Sequence, residues 1–274
     1  MRFIQLVVIA LCSLILLACS STPTKEATEQ ELYEDANRAI KIRSFQQATI
    51  ALEELESRYP FGKYAEQAQL DLIYARYSGL DLEGAKLAAE RFIRLHPQSP
   101  SVDYAYYVRG IANYYLDGGV ASQYFPMVDV SSRDPGHMRL AFKDFSELLM
   151  RFPESPYAAD AQQRMIDIRN RLAAYELHAA RYYIKRQAYL AAVNRAAYVV
   201  KSFPATPSVE EALNMMVSIY GKLNLASQRD EALAVLKLNY ADSKSFNQNG
   251  QFVAMHRLEP GRSLLNVMTF GLLQ

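Results

Sequence analysis

Small and apolar residues recur at fixed distances before four prolines along the chain. Each proline follows a ring-bearing residue, giving the dipeptides Tyr59-Pro60, His96-Pro97, Phe152-Pro153 and Phe203-Pro204. An alanine lies twelve residues before each proline, and small or apolar residues lie eight and five residues before it. Steps of four and three residues put these positions on one face of an α-helix. Because proline ends a helix, the pattern predicts four helices with the same buried face.

The alanine, the apolar pair and the closing proline together resemble the second helix of a tetratricopeptide repeat. That repeat is a helix-turn-helix unit of about 34 residues. The apolar pattern predicts five helix pairs, over residues 29–41 with 45–58, 61–78 with 82–95, 100–116 with 138–151, 157–185 with 191–201, and 209–220 with 227–240. The predicted fold is therefore an all-α, tetratricopeptide-like α-solenoid of about five helix-turn-helix repeats.

The prolines are spaced by 37, 56 and 51 residues, so the later repeats carry insertions. We expect a loop over residues 117–137, which are rich in Gly, Ser, Asp and Pro, and one long helix over 157–185. The alternative is a plain helical bundle in which the prolines share their phase by accident. A solenoid would instead present a face of first helices that binds peptides or other proteins.

The N-terminus predicts an exported, lipid-anchored protein. Arg2 precedes an apolar run over residues 3–17, which is shorter than the roughly 20 residues that a spanning helix needs. The run ends in Leu-Leu-Ala before Cys19, which resembles the lipobox of bacterial lipoproteins. Residues 1–18 would then be a signal peptide and Cys19 the acylated mature N-terminus. The alternatives are an ordinary signal peptide or a core helix with an incidental cysteine.

The residues after Cys19 refine this prediction. The second mature position is Ser20 rather than Asp, which by the same resemblance favours the outer membrane over the inner one. The polar stretch that follows, to residue 28, reads as a tether between the lipid and the fold. Cys12 leaves with the signal peptide, so the mature chain forms no internal disulfide.

Composition and motifs exclude several classes of function. Without Arg2, 29 basic residues balance 29 acidic ones, which argues against nucleic acid as a partner. The chain has no glycine-rich phosphate loop, no nucleophile elbow and no pair of histidines at metal-ligand spacing. We therefore predict a protein that is not an enzyme and that needs no cofactor and no metal.

Several stretches go beyond a generic repeat. They are residues 58–62 (Arg-Tyr-Pro-Phe-Gly), 69–75 (Gln-Leu-Asp-Leu-Ile-Tyr-Ala), Arg109-Gly110, Asp144-Phe145-Ser146 and Val193-Asn194-Arg195. With the lipobox, they make the chain similar to the BamD (ComL) family of lipoproteins over roughly residues 19–240. The resemblance implies a place on the periplasmic face of the outer membrane. It implies binding to the last POTRA domain of BamA, to BamC and BamE, and to unfolded outer-membrane proteins through their C-terminal targeting strand.

The resemblance divides the repeats between substrate and partners. Repeats 1–3, residues 29–153, would hold the substrate, with aromatic side chains and an arginine suited to an extended strand that ends in an aromatic residue and a carboxylate. The candidates are Tyr59, Phe61, Tyr64, Tyr74 and Arg94. Repeats 4 and 5, residues 154–241, would bind BamA and the other partners, with Asn194 and Arg195 at the centre. Packing between repeats is the alternative role for the tyrosines, and a solvated surface position is the alternative for Arg195.

The tail over residues 242–274 lies outside the resemblance. Its end, 264–273, is strongly apolar, so we expect it to be docked, either over the last repeat as a cap or against a partner. Two other functions compete with the assembly adaptor. One is a lipoprotein that binds peptidoglycan stem peptides in its groove, and the other is a hydrolase whose site has no local signature.

Overall fold

A computed structural model describes residues 27–124, 134–256 and 258. Within these ranges the chain is all-α and forms ten helices. They are α1 Glu29–Lys41, α2 Phe45–Arg58, α3 Ala65–Ser78, α4 Leu82–Leu95, α5 Val102–Tyr124, α6 Gly136–Arg151, α7 Ala158–Lys185, α8 Tyr189–Ser202, α9 Ser208–Lys222 and α10 Ala226–Asn239. The predicted all-helical repeat fold is confirmed, with one helix pair for each of the five repeats. The predicted signal peptide, Cys19 and most of the tether lie outside the described residues.

The buried face set by the prolines is confirmed in full. All twelve positions that lie twelve, eight and five residues before the four prolines are 0% exposed. The residue before each proline caps the helix, with φ between −126° and −134°, and its N–H donates to the carbonyl of the apolar residue four positions earlier. Tyr240 ends α10 with nearly the same backbone angles although no proline follows it.

A second recurring turn joins the two helices of four of the five pairs. It contains one residue in the left-handed region, with φ between 57° and 64°: Arg43, Leu80, Gln187 and Asn224. The N–H of the following residue donates to the carbonyl five positions earlier, as in a Schellman motif. None of the four is glycine, so each turn carries a steric cost of about 1 kcal/mol that packing must offset.

Two predicted boundaries are wrong by more than two residues, and the other described helix ends lie within two residues of the prediction. Helix α5 continues to Tyr124, through Gly118 and Gly119, where the sequence predicted a loop from residue 117. Glycine lowers helix stability by about 1 kcal/mol but does not forbid a helix, so composition overstated the break. Helix α3 begins at Ala65 rather than at 61, because residues 60–64 form tight turns. Helix α8 begins at Tyr189, two residues before the prediction.

The chain divides into two compact units, of which the first ends at Ala75 and the second begins at Arg76. In the first, α1, α2 and the start of α3 share one apolar cluster built around Leu32, Leu52 and Leu55. In the second, helices α7 to α10 share a larger cluster that includes Leu177, Leu213 and Ile219.

The first part of the tail docks on the last repeat. Asn214 of α9 is fully buried, and its Nδ2 donates to Ser245 Oγ and to the carbonyl of Val253, both at 2.9 Å. Its Oδ1 accepts from the N–H of Met255 at 2.9 Å, and Tyr189 Oη donates to the carbonyl of Leu258 at 2.6 Å. Residues 245–255 are therefore bonded to α9 and Leu258 to α8. The apolar stretch 264–273 lies outside the described part of the chain, where its role stays a prediction.

Candidate substrate- and partner-binding surfaces

Two of the predicted substrate residues, Tyr59 and Tyr64, are fixed within the first compact unit. Tyr59 Oη donates to the carbonyl of Ala27 at 3.0 Å, and both rings pack against the apolar cluster of that unit. The Tyr64 ring stacks on Tyr33 with centroids 4.6 Å apart, and the Tyr64 N–H donates to Glu29 Oε1 at 2.6 Å. Both tyrosines thus hold the start of α1 against the turn that follows α2.

Phe61 and Tyr74 have their rings in solvent. Phe61 is 99% exposed, on the turn between the two fixed tyrosines, and the N–H of Gly62 closes that turn on the carbonyl of Tyr59 at 3.0 Å. Tyr74 is 43% exposed and meets Phe45 edge to face, with centroids 6.1 Å apart. Of the four predicted aromatic residues, these two can contact a ligand without first leaving the fold.

The first unit also contains a polar pair that the sequence analysis missed. Tyr33 hydrogen-bonds Asp71, whose pKa is raised because the carboxyl is partly buried. Gln67 Nε2 donates to the same carboxylate at 2.9 Å. Asp71 lies within the stretch 69–75 that carried the family resemblance, which was the available signal. Arg94 belongs to the second unit, on α4, where it is exposed.

Arg195, the predicted centre of the partner surface, is exposed but already paired. Its side chain is 44% exposed, and its Nη1 lies 2.8 Å from Oε2 of Glu176, a residue of α7 that is only 3% exposed. This hydrogen bond, helped by another that Arg195 donates to Tyr183, raises the pKa of Arg195 above its ordinary value. The neighbouring Asn194 is exposed. The sequence predicted the exposure of Arg195 and missed its partner, which is nineteen residues earlier on another helix.

Tyrosine-aspartate hydrogen bonds join α5 to α7, and the sequence analysis missed them as well. Tyr107 Oη donates to Asp160 at 2.8 Å, and seven residues later on both helices Tyr114 Oη donates to Asp167 at 2.6 Å. Burial, strengthened by the bond to Asp167, raises the pKa of Tyr114 to about 12. Arg171 contacts both members of the Tyr114–Asp167 pair, because its Nε lies 2.7 Å from Asp167 and its Nη2 donates to Tyr114 Oη at 3.1 Å.

Residues that carried the family resemblance in the third repeat serve its packing. Arg109 of α5 lies 2.9 Å from both Asp144 and Glu147 of α6. Gly110 faces the ring of Phe145, and a Cβ added there would lie 2.7 Å from the ring. Only glycine lets α5 approach that closely, so these residues join the two helices of the pair.

The parts of the chain with described coordinates offer neither a metal site nor a membrane span. No group of three or more His, Cys, Asp or Glu side chains among them is placed to hold a metal ion. None of their helices combines the length and the apolar character needed to cross a bilayer.

Comparison with known proteins agrees with this architecture. Residues 25–236 match the YfiO family model, described as an outer membrane lipoprotein. The chain belongs to the YfiO/BamD family. It is 39% identical over 227 residues to the outer membrane protein assembly factor BamD of Vibrio cholerae, covering 82% of this chain and 94% of that relative. It is 39% identical to the Neisseria gonorrhoeae factor of the same name, covering 80% of this chain and 82% of that relative.

A third relative extends the comparison. The BamD of Haemophilus influenzae is 32% identical over 241 residues, covering 87% of this chain and 92% of its own. The family model ends at residue 236, so the tail that docks on α9 lies beyond the residues that this model matches. Phe61, Arg195 and the repeats up to the last turn of α10 lie within the match.

Proposed function

We propose that this protein is a lipid-anchored, non-enzymatic adaptor that assembles β-barrel proteins into the outer membrane. It binds the last POTRA domain of BamA, associates with BamC and BamE, and takes up unfolded outer-membrane proteins through their C-terminal targeting strands. Support comes from the family match over 25–236 and from relatives that are named outer membrane protein assembly factors. Those names give no support to the cell-wall-binding alternative.

The Phe61 turn, residues 59–64, is the observation that carries the substrate part of the proposal. Phe61 is 99% exposed, yet the residues on both sides of it are fixed by hydrogen bonds and stacking. A rigid turn that presents one aromatic ring loses little entropy on binding, so it suits an anchor residue. An extended targeting strand with alternating apolar side chains is the kind of ligand that such an anchor fits.

The location follows from Cys19. Triacylation there would hold the protein at the outer membrane, because each buried CH₂ contributes about 0.8 kcal/mol and one chain alone binds only marginally. Ala27 lies eight positions after Cys19, so even a fully extended tether would keep the start of the fold within about 28 Å of the lipid. The first repeat, with the Phe61 turn, would therefore work close to the membrane surface.

Site-specific photocrosslinking in living cells tests the substrate surface. A photoreactive residue in place of Phe61 should crosslink to unfolded outer-membrane proteins. The matched control is Ile42, which is also apolar, 69% exposed and in a turn of the same unit. Equal crosslinking from both positions, or none from Phe61, would reject the Phe61 turn as the substrate contact.

A further inference from the structure

Three charged side chains from three consecutive helices meet in the second unit, and we call them the Glu176 cluster. Arg139 comes from α6, Glu176 from α7 and Arg195 from α8. Arg195 Nη1 lies 2.8 Å from Glu176 Oε2, and Arg139 Nη2 lies 4.0 Å from Glu176 Oε1. The two arginines thus approach the two oxygens of one carboxylate, each from its own helix.

The exposures in the cluster are strongly unequal. The Glu176 side chain is 4% exposed, whereas Arg139 and Arg195 are 57% and 44% exposed. The carboxylate is therefore the buried floor of the cluster and the guanidinium groups are its outer surface. Two positive charges above one negative charge leave one positive charge that the cluster does not neutralise.

The donors of Arg195 are only partly used. A guanidinium group has five N–H donors in a planar fork. In Arg195, one donor goes to Glu176, and a further hydrogen bond is donated to Tyr183 in the last turn of α7. The remaining donors are held in place but available to an acceptor outside the molecule.

We propose that Arg139 and Arg195 together bind an acidic patch on a partner protein, and that Glu176 and Tyr183 are positioning residues for Arg195. The inference rests on the proposed function, since the partner there is the POTRA domain. It adds a second arginine, from the third repeat, to the surface that the sequence confined to residues 154–241. The partner surface then crosses the boundary at residues 153 and 154.

Under this proposal, Glu176 serves binding more than stability. A buried ion pair seldom adds much stability over an apolar pair of similar size, because both charges lose water. A carboxylate that fixes a guanidinium group before binding, however, lowers the entropy that the partner must remove. Paired carboxylates on the partner would meet preformed, adjacent cations, which favours specificity and fast association.

The test measures the affinity of purified variants for the last POTRA domain of BamA. Arg195→Ala and Arg139→Ala should each weaken binding by about tenfold, and both should flatten its salt dependence. Arg229→Ala is the matched control, because Arg229 is also 44% exposed and paired with an aspartate, Asp230. That control should change the affinity by less than about twofold if the site, and not the general charge, is recognised.

The positioning role has its own readout. Tyr183→Phe removes one hydrogen bond and no charge, and it should weaken binding about threefold in the wild-type background. In the Arg195→Ala background the same change should have no effect on affinity, because its target is gone. Should Arg195→Ala fail to fold, the Arg195→Ala/Glu176→Gln double variant removes both charges and replaces it.

The outcomes separate this inference from the proposed function. Loss of affinity in Arg195→Ala with none in Arg139→Ala would overturn the two-arginine site and leave the proposed partner surface standing. Unchanged affinity in both would overturn the partner surface itself. An equal loss in Arg229→Ala would show that any positive charge of the last repeats suffices, and a Tyr183→Phe effect that persists without Arg195 would overturn the positioning role.

Discussion

The Phe61 turn and the Glu176 cluster expose the side chains that we propose for binding in opposite ways. The turn presents an apolar ring that is 99% exposed. The cluster presents two cations above a carboxylate that is only 4% exposed. The turn can therefore lose its exposed side chain at no cost to the fold, whereas the cluster cannot, because removing its cations leaves a buried charge behind. The two proposed binding surfaces of this repeat architecture should therefore be coupled differently to its stability.

The largest effect should come from breaking the cluster. Arg195→Ala is expected to lower the free energy of unfolding by about 2 kcal/mol, less than for a fully buried pair because Arg195 is 44% exposed. Adding Glu176→Gln should recover most of the loss, since no unpaired charge then remains. Urea unfolding of wild type, Arg195→Ala, Glu176→Gln and the double variant measures this. A double variant whose loss of stability equals the sum of the two single losses would contradict the expectation.

The next effect separates exposed from fixed aromatic residues in the first unit. Phe61→Ala should leave stability unchanged and weaken binding of a peptide that ends in an aromatic residue by about tenfold. Tyr59→Phe should lower stability by about 1 kcal/mol, because it removes the bond to the carbonyl of Ala27, and should leave peptide affinity nearly unchanged. Fluorescence titration and thermal unfolding together check the pair, and the reversed pattern would refute it.

The two units should also respond to pH with opposite signs. Burial raises the pKa of Asp71, so its charged form costs stability, which falls as pH rises through that pKa. In the second unit a hydrogen bond with His256, with help from Arg181, lowers the pKa of Glu211 below its ordinary 4.5. Stability from Glu211 is present above pH 4.5 and is lost as pH falls through the lowered value.

The variants Asp71→Asn and Glu211→Gln test this contrast. Relative to wild type, the first should gain stability from acid toward neutral pH, and the second should become relatively less stable over the same range. Chemical unfolding between pH 3 and 7 provides the curves. If the stabilities of both variants, relative to wild type, changed with the same sign over this pH range, the directions given for the two pKa shifts would be wrong.

The smallest effect should be equal in the two units, because both use the same turn. Arg43 and Leu80 lie at φ 58° and 64°, where glycine is free of the steric cost. Arg43→Gly and Leu80→Gly should each raise the free energy of unfolding by about 0.5 kcal/mol, since the relief exceeds the entropy gained by the unfolded chain. Thermal unfolding measures both changes. A destabilised variant would mean that the contacts of the side chain stabilise the fold by more than the strained backbone angle destabilises it.

The apolar parts of this fold could be read from the sequence, and the polar junctions could not. The twelve positions set by the four prolines are all fully buried, because the spacing of a helix face and the stop signal of proline are both local. Glu176 and Arg195 belong to different helices, as do Tyr114 and Asp167, so their contacts depend on how helices pack. Similarly, nothing local distinguished the exposed Phe61 from the fixed Tyr59 two residues earlier.

The separation of the two surfaces is tested most directly by measuring both ligands on two variants. Phe61→Ala and Arg195→Lys are suited to this, because the first side chain is in solvent and the second change keeps the charge above Glu176. We expect Phe61→Ala to lose affinity for a peptide ending in an aromatic residue and to keep affinity for the POTRA domain. We expect Arg195→Lys to keep affinity for the peptide and to lose affinity for the POTRA domain. Loss of both ligands by either variant, or of neither by both, would contradict two separate binding surfaces.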